Sequence, residues 1–184
     1  MKASRVIIAM FILACIAGPL AAKGGNGNGG NNTTPVLTEK EASDLIFLRE
    51  EEKIARDVYL AMFDLYGEQI FANISVSEQR HMDSVKGLLD TYGLDDPIVD
   101  DSPGVFTNPV LAEIYTQLIE KGTVSLKDAL EVGVIIEEMD IHDIEVEMLP
   151  DATRTDVKRV LANLLAGSYN HLDAFTKALA ALPE

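Results

Sequence analysis

The chain has little that is reactive and little that is basic. Its 184 residues include one Cys and no Trp, and 15 Lys+Arg stand against 30 Asp+Glu, a formal net charge of −15. A single Cys excludes a disulfide framework, a paired-cysteine redox motif and a cysteine-rich zinc or iron–sulfur site. The shortage of Lys and Arg argues against binding nucleic acid through its phosphates, which needs clustered positive charge. An acidic surplus attracts cations instead. What remains is ample length for one domain with a buried core and an extension.

The extension is the N-terminus. Lys2 and Arg5 precede an apolar stretch, Val6–Ala17, too short to span a bilayer as a permanent helix, and Pro19 with Ala21–Ala22 follows. This pattern predicts a signal peptide over residues 1–22 and export to an extracellular, periplasmic or cell-surface location. Ile12-Leu13-Ala14-Cys15 loosely resembles a lipobox, and lipidation of Cys15 would tether the protein to a membrane. Cleavage near Ala22 removes Lys2, Arg5 and Cys15 but no acid, which moves the net charge to −17. Residues 23–37 are rich in Gly and Asn and read as a flexible linker, with weak N-x-T sequons at Asn31 and Asn32.

From residue 38 to 184 the periodicity is helical throughout, and no strand-like alternation stands out. Thr38 with Glu41 predicts a capping box, opening a helix that runs to Gly67. A second helix spans 69–92 and ends at Gly93. The short connection makes the two antiparallel neighbours. Residues 93–124 form a crossover, with Asn108-Pro109 as the cap and first residue of a short helix that Gly122 stops. A third long helix spans 125–148, with Pro150 behind it, and a fourth spans 153–181. Two hairpins joined by a long B–C crossover containing a short helix predict an all-α fold, a ferritin-like four-helix bundle. The acids Asp95, Asp96, Asp100, Asp101, Glu145 and Glu147 read as solvated surface or loop charges.

Polar residues interrupt all four apolar seams. The first helix runs Leu45, Leu48, Glu52, Ala55, Tyr59, Met62; the second Phe71, Ile74, Glu78, His81, Val85, Leu88. The third runs Leu126, Leu130, Gly133, Glu137, Asp140, Ile144; the fourth Val157, Leu161, Leu164, Ser168, His171, Phe175. A buried, unpaired carboxylate costs several kcal/mol, comparable with the stability of a domain. Basic partners are scarce on these seams, and Arg56 and Arg80 lie off them. A hydrogen-bonded network is the plain alternative for any one residue. For the set, bound first-row metal ions offer a shared compensation.

Glu78-x-x-His81 resembles the E-x-x-H metal motif of ferritin-like di-iron proteins. Glu52, followed seven residues later by Tyr59, is similar to the first-helix motif of rubrerythrins. The segments EEEKIARDVYLAM, SEQRHMDSVKGLLDTYG and NLLAGSYNHLDAF look like an uncharacterised prokaryotic ferritin-like domain family, over roughly residues 40–180. The resemblance implies Glu52 as the first-helix ligand ahead of Glu50 and Glu51. It implies Glu78 as bridging carboxylate, His81 as terminal ligand, Glu137 as second bridge ahead of Glu138, and His171 as the histidine of a second E-x-x-H. Ser168 stands where that second motif has Glu, so one carboxylate is missing, and Asp140 or water would take its place. His142 is off the seams and is expected to be dispensable for metal.

The implied cofactor is iron, two ions per chain, with manganese or zinc as substitutes. The implied activity is oxidase, peroxidase or ferroxidase chemistry on oxygen, peroxide or ferrous iron. Tyr59 is then either a residue of that chemistry or a core tyrosine bonded to Glu52 or a neighbour. With one Cys there is no rubredoxin-like module, so electrons come from an external donor or from ferrous iron itself. The competing reading is a non-catalytic metal-binding or structural module. Homo-oligomer formation is compatible with either reading.

Overall fold

The computed structural model describes residues 36–183. The expected leader (1–22), with Cys15, and the linker up to Pro35, with Asn31 and Asn32, lie outside the described residues.

Local signals set the helix ends. Thr38 Oγ1 accepts from the Glu41 N–H and the Glu41 carboxylate accepts from the Thr38 N–H, so the capping box opens α1 (Glu39–Tyr66). Gly67, at φ +70°, ends it in a left-handed conformation that costs glycine nothing. Gly93, at φ +69°, ends α2 (Gln69–Tyr92) in the same way. Asn108 caps α3 (Pro109–Gly122), which lies in the crossover, and Ser125 caps α4 (Leu126–His142). The fourth long helix, α5 (Thr155–Ala180), has no side-chain cap of its own. The Glu41 carboxylate serves there too, accepting the N–H groups of Thr153 and Arg154, and so joins the starts of α1 and α5.

Two details differ from the sequence expectation. Gly122 does not stop α3 but is its last residue, and a side chain there would press on Met62 Sδ, so close approach to α1 explains the glycine. The third long helix does not run unbroken to residue 148. It changes at Asp143 into a π-helical turn, Asp143–Met148.

The fold is all helical, with α1 packed along α2, α4 along α5, and further contacts of α1 with α4 and of α2 with α5 closing a four-helix bundle. The crossover helix α3 packs on α1 and α4. Apolar residues form two clusters. One gathers Val58, Met62, Phe71, Ile136 and Phe175 with α3, and the other gathers Leu48, Leu88, Ile144 and Leu161. On every long helix the interrupting polar residues fall between members of one cluster and members of the other.

Candidate metal centre

The polar layer is built one turn per helix. Glu52 on α1, Glu78 and His81 on α2, Glu137 and Asp140 on α4, and Ser168 and His171 on α5 are all buried. Two groups of ligand-type atoms come within 4.8 Å of one another: Glu52, Glu78 and His81, and Glu78, Glu137 and His171. Glu78 belongs to both. Its Oε2 lies 2.8 Å from His81 Nδ1 and its Oε1 lies 2.8 Å from His171 Nδ1. His81 Nδ1 is also 3.2 Å from Glu52 Oε2, and His171 Nδ1 is 3.5 Å from Glu137 Oε2. Both imidazoles therefore turn the same nitrogen toward the carboxylates, with their rings stacked 5.6 Å apart.

Asp140 holds the place beside Ser168. The Ser168 hydroxyl donates to Asp140 Oδ2 and leaves Oδ1 unpartnered. The two adjacent acids on α4 differ sharply, since Glu137 is buried and Glu138 exposed. Tyr59 donates to Glu137 Oε1 at 2.6 Å, so its partner is the carboxylate on α4 and not Glu52. Its ring stands among Phe71 and Phe175, and Phe175 fits against α4 because residue 133 is glycine. Gly167 has a similar function on α5, since a Cβ there would lie 2.6 Å from His81 Nε2. His142 is at the surface, 3.9 Å from Glu147.

Burial and mutual repulsion govern the protonation of these groups. Burial, reinforced by the Glu78 charge, pushes the Glu137 carboxyl up to about 8, although His171 and Tyr59 oppose it. Burial raises Asp140 to about 7 against the hydrogen bond from Ser168. Burial and the Asp140 charge raise Glu52 well above the usual carboxylate range. Glu78 goes the other way: burial would raise it, but the two imidazoles beside it hold it at about 2. Burial would lower both histidines, yet Glu52 and Glu78 lift His81 to about 11, and Glu137 and Glu78 lift His171 to about 9.

The fit of these residues to metal is tested by what the protein leaves unsatisfied. Seven buried side-chain nitrogen and oxygen atoms among the described residues have no hydrogen-bond partner. All but Arg49 Nη1 belong to Glu51, Glu52, Glu78, Asp140 and His171. Buried polar atoms are rarely orphaned, and a cluster of them with carboxylate and imidazole character is a donor set for cations. His171 Nδ1 and Glu78 Oε1 are 2.8 Å apart and still not aligned as a hydrogen bond.

The structure gives several charged residues places that the sequence reading did not. Glu51 is buried and surrounded by Asp143, Asp140 and Glu52. Asp143 lies one turn beyond Asp140, a spacing that extends the same face, and the seam passed it over for Ile144. On α1, Arg49, Glu50, Lys53, Arg56 and Asp57 are buried and engaged with the crossover. Asp96 and Asp101, expected as free loop charges, pair with Arg49 and Arg56.

A relative of this chain is the uncharacterized protein MJ0754 of Methanocaldococcus jannaschii. It is 49% identical over 143 residues, covering 78% of this chain and 77% of that protein. Its crystal structure matches with a TM-score of 0.78 at 48% identity, over 79% of this chain and 83% of that one. The crystal structure of a DUF305 fragment from Deinococcus radiodurans shares the fold at 15% identity, with a TM-score of 0.60 over 80% of this chain and all of the fragment. The family model described as an uncharacterized protein domain, DUF2202, matches residues 41–182, and the chain belongs to that family.

Proposed function

We propose that the bundle holds a carboxylate–histidine metal centre, with iron as the favoured metal and two ions per chain, and that it acts on peroxide, oxygen or ferrous iron. The observation that carries this reading is the set of unpartnered buried atoms on Glu52, Glu78, Asp140 and His171, gathered around a glutamate shared by both ligand groups. Glu52, Glu78 and His81 would hold one ion, and Glu78, Glu137 and His171 the other. Asp140, steadied by Ser168, would replace the carboxylate that the fourth helix lacks.

Bound iron would supply redox chemistry suited to a small oxidant. The protein's own part is positional. Tyr59 fixes one oxygen of Glu137, Ser168 fixes one oxygen of Asp140, and Gly167 lets His81 lie against α5. The histidine side chains are the layer's most accessible members, each 11% exposed, so only a small substrate reaches them without rearrangement. With one Cys in the chain, electrons come from a separate donor or from ferrous iron.

Elemental analysis of the purified chain should find one to two transition-metal ions per molecule, removed by the double substitution Glu78→Ala/His81→Ala. Unchanged metal in that variant, or none in the unsubstituted chain, would sink the assignment. A second reading, metal binding without turnover, is favoured by Ser168 in place of a carboxylate. Optical spectra before and after peroxide separate the two, since a non-catalytic centre cycles neither peroxide nor ferrous iron.

A further inference from the structure

The acids of the polar layer are not held alike. The two oxygens of Glu78 face different histidines, Oε2 at 2.8 Å from His81 Nδ1 and Oε1 at 2.8 Å from His171 Nδ1. Oε1 has no hydrogen-bond partner among the described residues. The two acids of α4 differ from it. Tyr59 donates its hydroxyl to Oε1 of Glu137 at 2.6 Å, which leaves Oε2, 3.5 Å from His171 Nδ1, turned to the ligand group. Ser168 donates its hydroxyl to Oδ2 of Asp140 and leaves Oδ1 without a partner. Glu137 belongs to one of the two ligand groups, whereas Glu78 belongs to both.

Neither hydroxyl can follow a carboxylate that swings. Tyr59 is fully buried, and its ring lies 5.1 Å from that of Phe175 and 6.3 Å from that of Phe71. Phe175 in turn rests on the α4 backbone at Gly133, where a Cβ would come within 2.6 Å of the ring. The tyrosine hydroxyl also lies 3.4 Å from the Gly133 carbonyl, one turn before Glu137. Ser168 is buried, and its hydroxyl lies 3.0 Å from the Leu164 carbonyl of its own helix. Side chains packed in this way move only with their neighbours.

A carboxylate joins two ions only when it offers each a separate oxygen. A hydroxyl bonded to a charged oxygen makes a strong hydrogen bond and holds that oxygen in place. On the basis of the metal reading above, we infer that Glu78 is the one carboxylate of this layer that bridges the two ions. Tyr59 and Ser168 are positioning residues that restrict Glu137 and Asp140 to a single ligand oxygen each. The centre then departs from the second bridge that the resemblance implies for Glu137, and that bridging place is left to a ligand from solution.

The test counts ions and reads their surroundings. The full-length chain, stripped of metal, is loaded to saturation with cobalt(II), and its cobalt content and visible spectrum are recorded. Glu78→Gln, which turns one oxygen into an amide nitrogen that does not bind a cation, loses one of the two ions. Glu137→Gln keeps both, because its amide nitrogen takes the place beside Tyr59 and its oxygen still faces the ion. Tyr59→Phe and Ser168→Ala also keep both ions but lower the visible absorption per cobalt, since the released oxygen raises the coordination number. Loss of one ion in Glu137→Gln overturns the inference by making Glu137 a bridge, and retention of both in Glu78→Gln overturns it too. Unchanged spectra in both Tyr59→Phe and Ser168→Ala reduce the two hydroxyls to core hydrogen bonds and overturn their positioning role. Uptake of one ion by the unsubstituted chain leaves nothing to bridge and overturns the inference with metal binding intact. Uptake of none is a distinct result and removes the metal reading itself.

Discussion

Glycine at position 167 is there because His81 needs the room. A Cβ at Gly167 would come within 2.6 Å of Nε2 and 2.7 Å of Cε1 of that ring, which must then swing away from Glu52 and Glu78. Alanine is the better helix former by about 1 kcal/mol, and the imidazole is the movable end of a side chain. Gly167→Ala should therefore leave the metal-free helix content and melting temperature unchanged or slightly raised. Metal affinity should fall by about 10–100-fold, as when a ligand loses its support. Equilibrium titration with cobalt(II) beside a thermal melt separates these effects, and an unchanged affinity would show that His81 needs no such room. Tyr59→Phe tests the opposite kind of residue. It removes a hydroxyl donor from Glu137 in a layer already short of partners, and should cost about 1.5–3 kcal/mol in denaturant unfolding without loss of metal. Stoichiometric loss of metal in that variant would make Tyr59 more than a hydrogen-bond donor to Glu137.

At the scale of elements, α1 is buried on all sides from Leu48 to Tyr59, and Arg49, Glu50, Lys53, Arg56 and Asp57 in that stretch clamp the crossover. Glu50 accepts the N–H groups of Thr107 and Asn108, Lys53 donates to the Ser102 carbonyl, and Asp57 receives Lys53, Arg56 and the Gly104 N–H. Removing one member of a buried pair strands the other. Asp57→Ala should thus destabilise the protein by about 3–5 kcal/mol. Replacing Lys53 and Asp57 together with Met and Leu should cost much less, which a double-mutant comparison by urea unfolding would check. Equal losses in the two variants would mean that the pair's burial matters less than its contacts with the loop.

This clamp also marks where the sequence stopped being legible. Helical seams report apolar periodicity, so the four long helices, the caps at Thr38, Gly67, Gly93 and Ser125, and Glu52, Glu78, His81, Glu137, Asp140 and His171 on buried faces could be read from the sequence. The pairing of Arg49 with Asp96, or of Arg56 with Asp101, joins segments distant in sequence by charge alone, and periodicity carries no trace of it. The burial of Glu51 was hidden for a related reason: it lies off the apolar stripe, in a stretch of α1 that is buried all round. The π-helical turn was hidden because its residues keep helical spacing while the backbone changes.

Over the described residues the bundle is two apolar clusters joined across one polar layer, and its stability should depend on what neutralises that layer. Without metal, protons do it. Glu137 is held at about 8 in the folded protein against an ordinary 4.5, and Asp140 at about 7 against 3.8. Between those limits the folded chain binds more protons than the unfolded one, so stability falls as pH rises through that window. His81 at about 11 and His171 at about 9, both above an ordinary 6.5, extend the fall to higher pH. Glu78, held at about 2, acts oppositely, and its contribution is lost only as pH drops from 4.5 toward that value. The metal-free protein should melt highest near about pH 5 and progressively lower up to about pH 8. Metal ions compete with the same protons, so the rise in melting temperature on adding metal should be small near about pH 5 and grow steadily toward about pH 8. Melts of metal-free and metal-loaded protein across that range decide the matter. A metal-free melting temperature that is flat or rises with pH would show that protons do not occupy the layer, and a metal effect independent of pH would place the bound ions elsewhere on this acidic chain.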